Sequence, residues 1–151
     1  MKKFVRQTSA DSAGNGLKLN LRANAARVAR TFEPGFYQLR IDAARLVVAR
    51  TGNVSIALDI IEMDSGVLAD TRPLWIAGPN ATVGRLAAEN QALVAQLLEL
   101  AGQNIDGEIQ LADVVPKLVG LTFDARLALA TDSRTGRTYN AIAAIIMDDA
   151  A

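Results

Sequence analysis

Neither histidine nor cysteine occurs among the 151 residues. Without cysteine the chain forms no disulfide and offers no thiolate to a metal. Without histidine it lacks the commonest general base and the commonest zinc ligand. Its serines therefore have no ordinary base to activate them. Gly14-Asn15-Gly16 is not followed by the Gly-Lys-Ser/Thr of a phosphate-binding loop, and no Gly-x-Ser-x-Gly turn is present. Asp59, Glu62 and Asp64 could offer carboxylates to a hard cation. Asp59 has the opposite strand parity to the other two, however, and calcium asks for about 6 to 8 oxygens from a dedicated loop, so the trio reads as a solvated hairpin end. No apolar run approaches the roughly 20 residues that span a bilayer, and Met1-Lys2-Lys3-Phe4 continues into Arg6 and Gln7 rather than into the apolar stretch of a signal peptide. These absences predict a soluble cytoplasmic protein that is not an enzyme and carries neither metal nor cofactor.

What is there is half apolar, enough for one buried core and short for two. The formal charge is zero, yet the two signs are segregated. Residues 1–50 hold ten basic and three acidic side chains, and the remainder holds six basic and thirteen acidic. Such asymmetry fits a polyanion-binding arm beside an acidic body, or else scattered surface cations that keep the protein soluble.

Hydrophobic periodicity organises the chain. Thr8 to Gly16 is small and polar and predicts a loop or a disordered arm. Leu17 to Arg22 alternates as a short half-buried strand does, and Ala23 to Thr31 reads as a short helix or an extended lead-in. Pro34-Gly35 opens a long strand, Phe36 to Ala49. Tyr37, Leu39, Ile41 and Ala43 share one face of it, while Leu46 and Val48 have the opposite parity, which predicts a bulge near Ala43-Ala44. A hairpin turn at Thr51-Gly52-Asn53 leads to a second strand that buries Val54, Ile56, Leu58 and Ile60, and a third strand is predicted from Val67 to Ile76. From about Val83 the period becomes helical, with Leu86, Asn90, Leu93, Leu97 and Leu100 on one stripe, and Gly102 stops it. A fourth strand, Leu121 to Ala130, would bury Leu121, Phe123, Ala125, Leu127 and Leu129. The loop Asp132 to Arg137 joins it to a fifth strand, Tyr139 to Met147.

Five strands with one helix between the third and the fourth is the order of the five-stranded Greek-key OB barrel. The fold class expected is therefore mainly β: an OB-like barrel over 34–151, preceded by a basic, partly flexible N-terminal arm over 1–33. Several segments also resemble phage-encoded single-stranded DNA-binding proteins of the OB type. They are Glu33-Pro34-Gly35-Phe36-Tyr37, Thr51-Gly52-Asn53, Leu74-Trp75-Ile76, Leu118-Val119-Gly120 and Thr135-Gly136-Arg137-Thr138-Tyr139-Asn140, and they span most of the chain. The resemblance implies a phage or prophage protein that coats single strands during replication or recombination in the cytoplasm of a bacterial host. The neutral charge and the lack of a long Gly/Gln-rich linker depart from familiar bacterial relatives.

Single-strand binding needs cations that track phosphates and flat side chains on which bases stack. Candidate contacts are Arg50 and Asn53 at the first loop, Arg134 and Arg137 at the last, Arg40, Arg72 and Arg126 on strands, and the rings of Trp75 and Tyr139. Lys2, Lys3, Arg6, Lys18 and Arg22 supply cations from the arm. Each has a plainer reading, since loop arginines also keep proteins soluble and a strand tryptophan also serves core or subunit interface. The acidic end, Asp148-Asp149, faintly resembles the tips by which such proteins recruit partners. Single-stranded DNA is thus the expected partner, with phage or host replication and recombination proteins and a second copy of the chain as further candidates. The alternative is a non-catalytic phage protein-interaction module built on the same barrel.

Overall fold

The structure, a computed structural model, describes residues 16–25 and 27–147. Lys2, Lys3, Arg6, the polar segment up to Asn15 and the acidic C-terminal tip lie outside them. The Leu17–Arg22 alternation does not build a strand: Leu17–Asn20 is irregular and Leu21–Ala25 is a five-residue helix, α1. Leu17, Leu19 and Leu21 all stay exposed. Alternation makes a strand only where a neighbouring strand supplies a hydrogen-bonded ladder, and this segment joins no ladder among the described residues.

The strand β1 (Gly35–Val48) carries the architecture. Its centre buries Leu39 and Ile41 completely, and the predicted switch of face is present. Ile41 lies opposite Ile60 but Ala43 lies opposite Asp59, so Asp42 is the extra residue, one place before the Ala43-Ala44 pair. The strand β2 (Val54–Glu62) alternates, with Ile56, Leu58 and Ile60 buried as expected, while Val54 at its start is only half-buried. Glu62 continues that buried parity. Its carboxylate accepts the backbone N–H groups of Asp64 and Ser65, both at 2.9 Å, and so organises the following turn. Burial pushes this carboxyl up, but the hydrogen bonds from the Ser65 side chain and the two N–H groups outweigh that and hold it below the usual glutamate value.

The predicted third strand is interrupted. It consists of β3 (Val67–Leu68) and β4 (Leu74–Ala77), both paired with β2. Between them the backbone swings away: the Asp70 carbonyl accepts the Asn140 N–H at 2.7 Å, and Thr71 makes a parallel bridge to Asn140. Pro73, with no N–H to give, fits a stretch that has left the ladder.

After a 3-10 turn at Pro79–Ala81 comes α2 (Arg85–Leu100), the expected helix. Ala87, Val94, Leu97 and Leu98 are its buried residues, whereas Leu86, expected on the inward stripe, is 57% exposed. The helix ends on Gly102 at φ +79, with Gln103 N–H donating to the Leu98 carbonyl and Gly102 N–H to that of Glu99, the Schellman pattern. A short helix α3 (Leu111–Val114) and a 3-10 turn that buries Val115 and Leu118 lead to β5 (Thr122–Thr131) and β6 (Thr138–Ile145). In β5 Phe123, Ala125 and Leu127 are buried as expected. Leu121 is half-buried and Leu129 exposed, the latter lying beyond Leu127, where the pairing of β5 with β1 ends.

The strands pair antiparallel in the order β3–β2–β1–β5–β6, with β4 also on β2. The result is a mainly β protein: a curled half-barrel sheet of five strand positions, counting β3 and β4 as one, with a helix between β4 and β5. One core lies inside the curl, from Leu39, Ile41, Ile56, Ile60, Leu97 and Leu127 among others. Each large side chain so buried contributes about 1.5–3 kcal/mol.

Candidate nucleic-acid interface

The strand β4 is the spine on which most candidate residues gather. At its far end Ala77 pairs with Val54, directly after the first hairpin loop. That loop packs tightly on the chain beyond β4, since a Cβ on Gly52 (φ +94) would lie 3.1 Å from the Pro79 Cα. Glycine there is required both by its backbone conformation and by the close approach. Arg50 and Asn53 are exposed in this loop, and Arg50 makes no ion pair among the described residues.

At the near end of β4, the Arg72 guanidinium lies 4.6 Å from the centre of the Tyr139 ring and donates to Asp70 at 2.8 Å. Tyr139 immediately follows the Asp132–Arg137 loop and Thr138, and Asp132 feels the Arg72 charge. The loop is held by its own hydrogen bonds. Asp132 Oδ1 accepts the N–H groups of Arg134 (2.8 Å) and Thr135 (3.3 Å), and the Asp132 N–H donates to the Arg137 carbonyl at 2.8 Å. The Arg134 N–H, aided by that of Thr135 and by the charges of Arg134 and Arg72, keeps the Asp132 carboxyl below the usual aspartate value against the opposing effect of desolvation. Arg134 and Arg137 are exposed and have no ion pair among the described residues.

Arg50 and the pair Arg134/Arg137 therefore stand at the two ends of β4 rather than in one cluster. From Arg72 to Pro79 an extended chain covers about 20 Å. Trp75 sits between. Register places it opposite Ser55, itself opposite Val47, on the outward face of the sheet. Its ring is half-buried: its Cζ2 edge lies against Gly78, whose added Cβ would be 3.5 Å away, and its indole nitrogen is shielded with no acceptor among the described residues. Trp75 is a covered ring at the middle of the spine, not an open platform.

The remaining candidates lie elsewhere. Arg126 is opposite Phe36 and Arg40 opposite Thr122, on the outer face of β1 and β5. Arg40 is half-buried and paired with Asp42 at 3.3 Å, and together with Arg27 and Asp59 it lines a groove of mixed charge. Lys18 and Arg22 are exposed in the segment before β1.

Two arrangements were not read from the sequence as parts of a site. Asn140, 1% exposed, is a clasp: its Oδ1 accepts the Phe32 N–H at 2.7 Å, and its Nδ2 donates to the Phe32 carbonyl (2.8 Å) and the Ala128 carbonyl (3.3 Å). A lone amide within an apolar strand is the signal that could have found it, because buried polar groups require partners. The other is an opening of about 240 Å³ between β4 and β6. Among the described residues no group of three or more potential ligands gathers as a metal site, and no helix is long and apolar enough to cross a membrane.

The sequence matches no protein-family model, and a search of curated proteins finds no significant relative.

Proposed function

We propose that the protein binds single-stranded DNA, largely without regard to sequence, laying the strand along β4 from one hairpin loop to the other. The observation that carries this reading is the bracketing of β4 by two exposed loops with unpaired arginines, Arg50 at one end and Arg134 with Arg137 at the other. Between them lie the Arg72–Tyr139 stack and the covered ring of Trp75, which leaves Tyr139 as the ring to meet a base. Cations that hold phosphates and an aromatic ring on the same strip are the two ingredients single-strand binding requires. The strand pairing supports the OB reading of the fold. One long strand is shared by β2 and β5, a helix precedes β5, and the third and last strand positions meet in parallel at Thr71–Asn140. In this reading the protein is not an enzyme. It serves phage or prophage replication or recombination in the host cytoplasm, and the basic residues before β1 add phosphate contacts.

The test is fluorescence anisotropy of a labelled oligothymidine at several salt concentrations. Log affinity is expected to fall linearly with log salt, with a slope of about −0.7 for each phosphate neutralised. Replacing Arg50, Arg134 and Arg137 together by Ala is expected to weaken binding equally for all base sequences and to reduce the slope by about 2. Absence of binding by the unmutated protein at low salt overturns the proposal and favours a protein-interaction module.

A further inference from the structure

Beyond a track for phosphates, the opening between β4 and β6 has the form of a binding slot. The chain just before β4 bridges β6 at Thr71–Asn140, after which β4 and β6 run on unpaired with each other, so that one edge of each is left without a strand partner among the described residues. The gap reaches the core side chains Leu58, Ile60, Leu93 and Ile142, which form an apolar floor. Polar groups line the same cavity. Arg72 is stacked on the Tyr139 ring, the Tyr139 hydroxyl has no partner among the described residues, and Asn90 spends its Nδ2 on the Trp75 carbonyl at 2.9 Å, leaving Oδ1 unengaged. An apolar cleft with a few convergent polar groups is the usual form of a small-ligand site.

We infer that this slot receives one nucleobase, turned out of the strand that lies along β4. The inference rests on the single-strand reading above and adds to it a site for a base. The chemistry favours a flat heteroaromatic ring. Its faces would meet Leu93, Ile142 and the Tyr139 ring, its polar edge would meet Asn90 Oδ1 and the Tyr139 hydroxyl, and Arg72 stands near enough to share its charge between Asp70 and the attached phosphate. A cation already held over an aromatic ring is ordered before the ligand arrives, which lowers the entropic cost of binding.

The experiment compares two 12-mer strands, oligothymidine and the same strand made of abasic residues, against the unmutated protein and two plugged variants. Leu86→Trp fills the slot from the exposed start of α2, and Ala141→Leu fills it from β6. Thermal melts establish which variants fold as the parent does. Expected are an approximately tenfold weaker affinity of the plugged protein for oligothymidine, an unchanged salt slope, and no effect of the plug on the abasic strand. Equal affinity of the unmutated protein for both strands overturns the slot while leaving phosphate-driven binding intact, as does a folded plug without effect. Displacement of the labelled strand by micromolar free thymidine monophosphate identifies a free-nucleotide site and overturns the inference. Binding of neither strand overturns the single-strand reading itself.

Discussion

The seam between β1 and β5 and the seam between β4 and β6 are closed by different chemistry. In the first, Gly35 to Arg40 pair in unbroken register with Leu127 to Thr122, and behind the hydrogen bonds Leu39, Phe123, Ala125 and Leu127 fill the core. In the second, one parallel bridge just before β4 is all the backbone provides, and side-chain amides tie each strand to its other neighbours instead. Asn140 ties Phe32 and Ala128 together, while Asn90 and Gln91 of α2 donate to the carbonyls of Trp75 and Ile76 on β4. An apolar seam is non-directional and tolerates exchange of one aliphatic side chain for another of similar volume. A seam whose flanks are tied down by amides depends on particular atoms. It also leaves room beside them, and that is where the slot lies.

The largest effect expected is on the apolar seam. Leu127→Ala removes a completely buried side chain and should lower unfolding free energy by about 2–5 kcal/mol in chemical denaturation. On the amide seam, Asn140→Ala leaves the Phe32 N–H and carbonyl without their partner and should cost about 1–3 kcal/mol. The two variants should also differ in kind. Hydrogen exchange of the Phe32 amide should accelerate in Asn140→Ala while amides of Gly35 to Arg40 keep their protection. Equal acceleration at Phe32 and along Gly35 to Arg40 would erase the distinction between the seams.

Smaller still is the effect at the β2–β3 turn, where Glu62→Gln keeps the shape but removes the charge that holds two N–H groups; about 1 kcal/mol is expected at neutral pH. Because the folded-state pKa of Glu62 lies below the ordinary glutamate value, its contribution is present above that value and disappears as pH falls through the folded pKa. The difference between Glu62→Gln and the parent should therefore shrink on acidification; a difference independent of pH would mean that the carboxylate charge is not what orders the turn. At the bottom of the scale, Ala at Arg50, Arg134 and Arg137 should change stability by no more than about 0.5 kcal/mol each, since these side chains are exposed and unpaired. A clear destabilisation would place them in the fold rather than at its surface.

The apolar seam was legible in the sequence and the amide seam was not. Parity alone located the change of face in β1 within a residue of the bulge at Asp42, because one inserted residue reverses every later side chain. Parity could not show that the third strand breaks at Asp70, where the chain instead bonds Asn140, seventy positions away, although Pro73 within the run was a signal of a break. For the same reason the alternation at Leu17 to Arg22 was misleading: it records a face, not a partner. Of the candidate cations, two turn out to be paired with an acid two residues away, Arg40 with Asp42 at the bulge and Arg72 with Asp70 in the break between β3 and β4. The position of the two loops at opposite ends of β4 required the curl of the sheet.

Trp75 is the chain's single tryptophan, and its indole N–H is shut away beside the Gly78–Thr82 turn without an acceptor among the described residues. That makes the middle of β4 a built-in optical gauge. With the ring half-buried and its nitrogen shielded, anything that lifts the turn and lets more water reach the ring should move the emission to the red. Occupancy of the strip along β4 can thus be followed in unlabelled protein, with a signal that reports the turn and the ring rather than the arginines at either end.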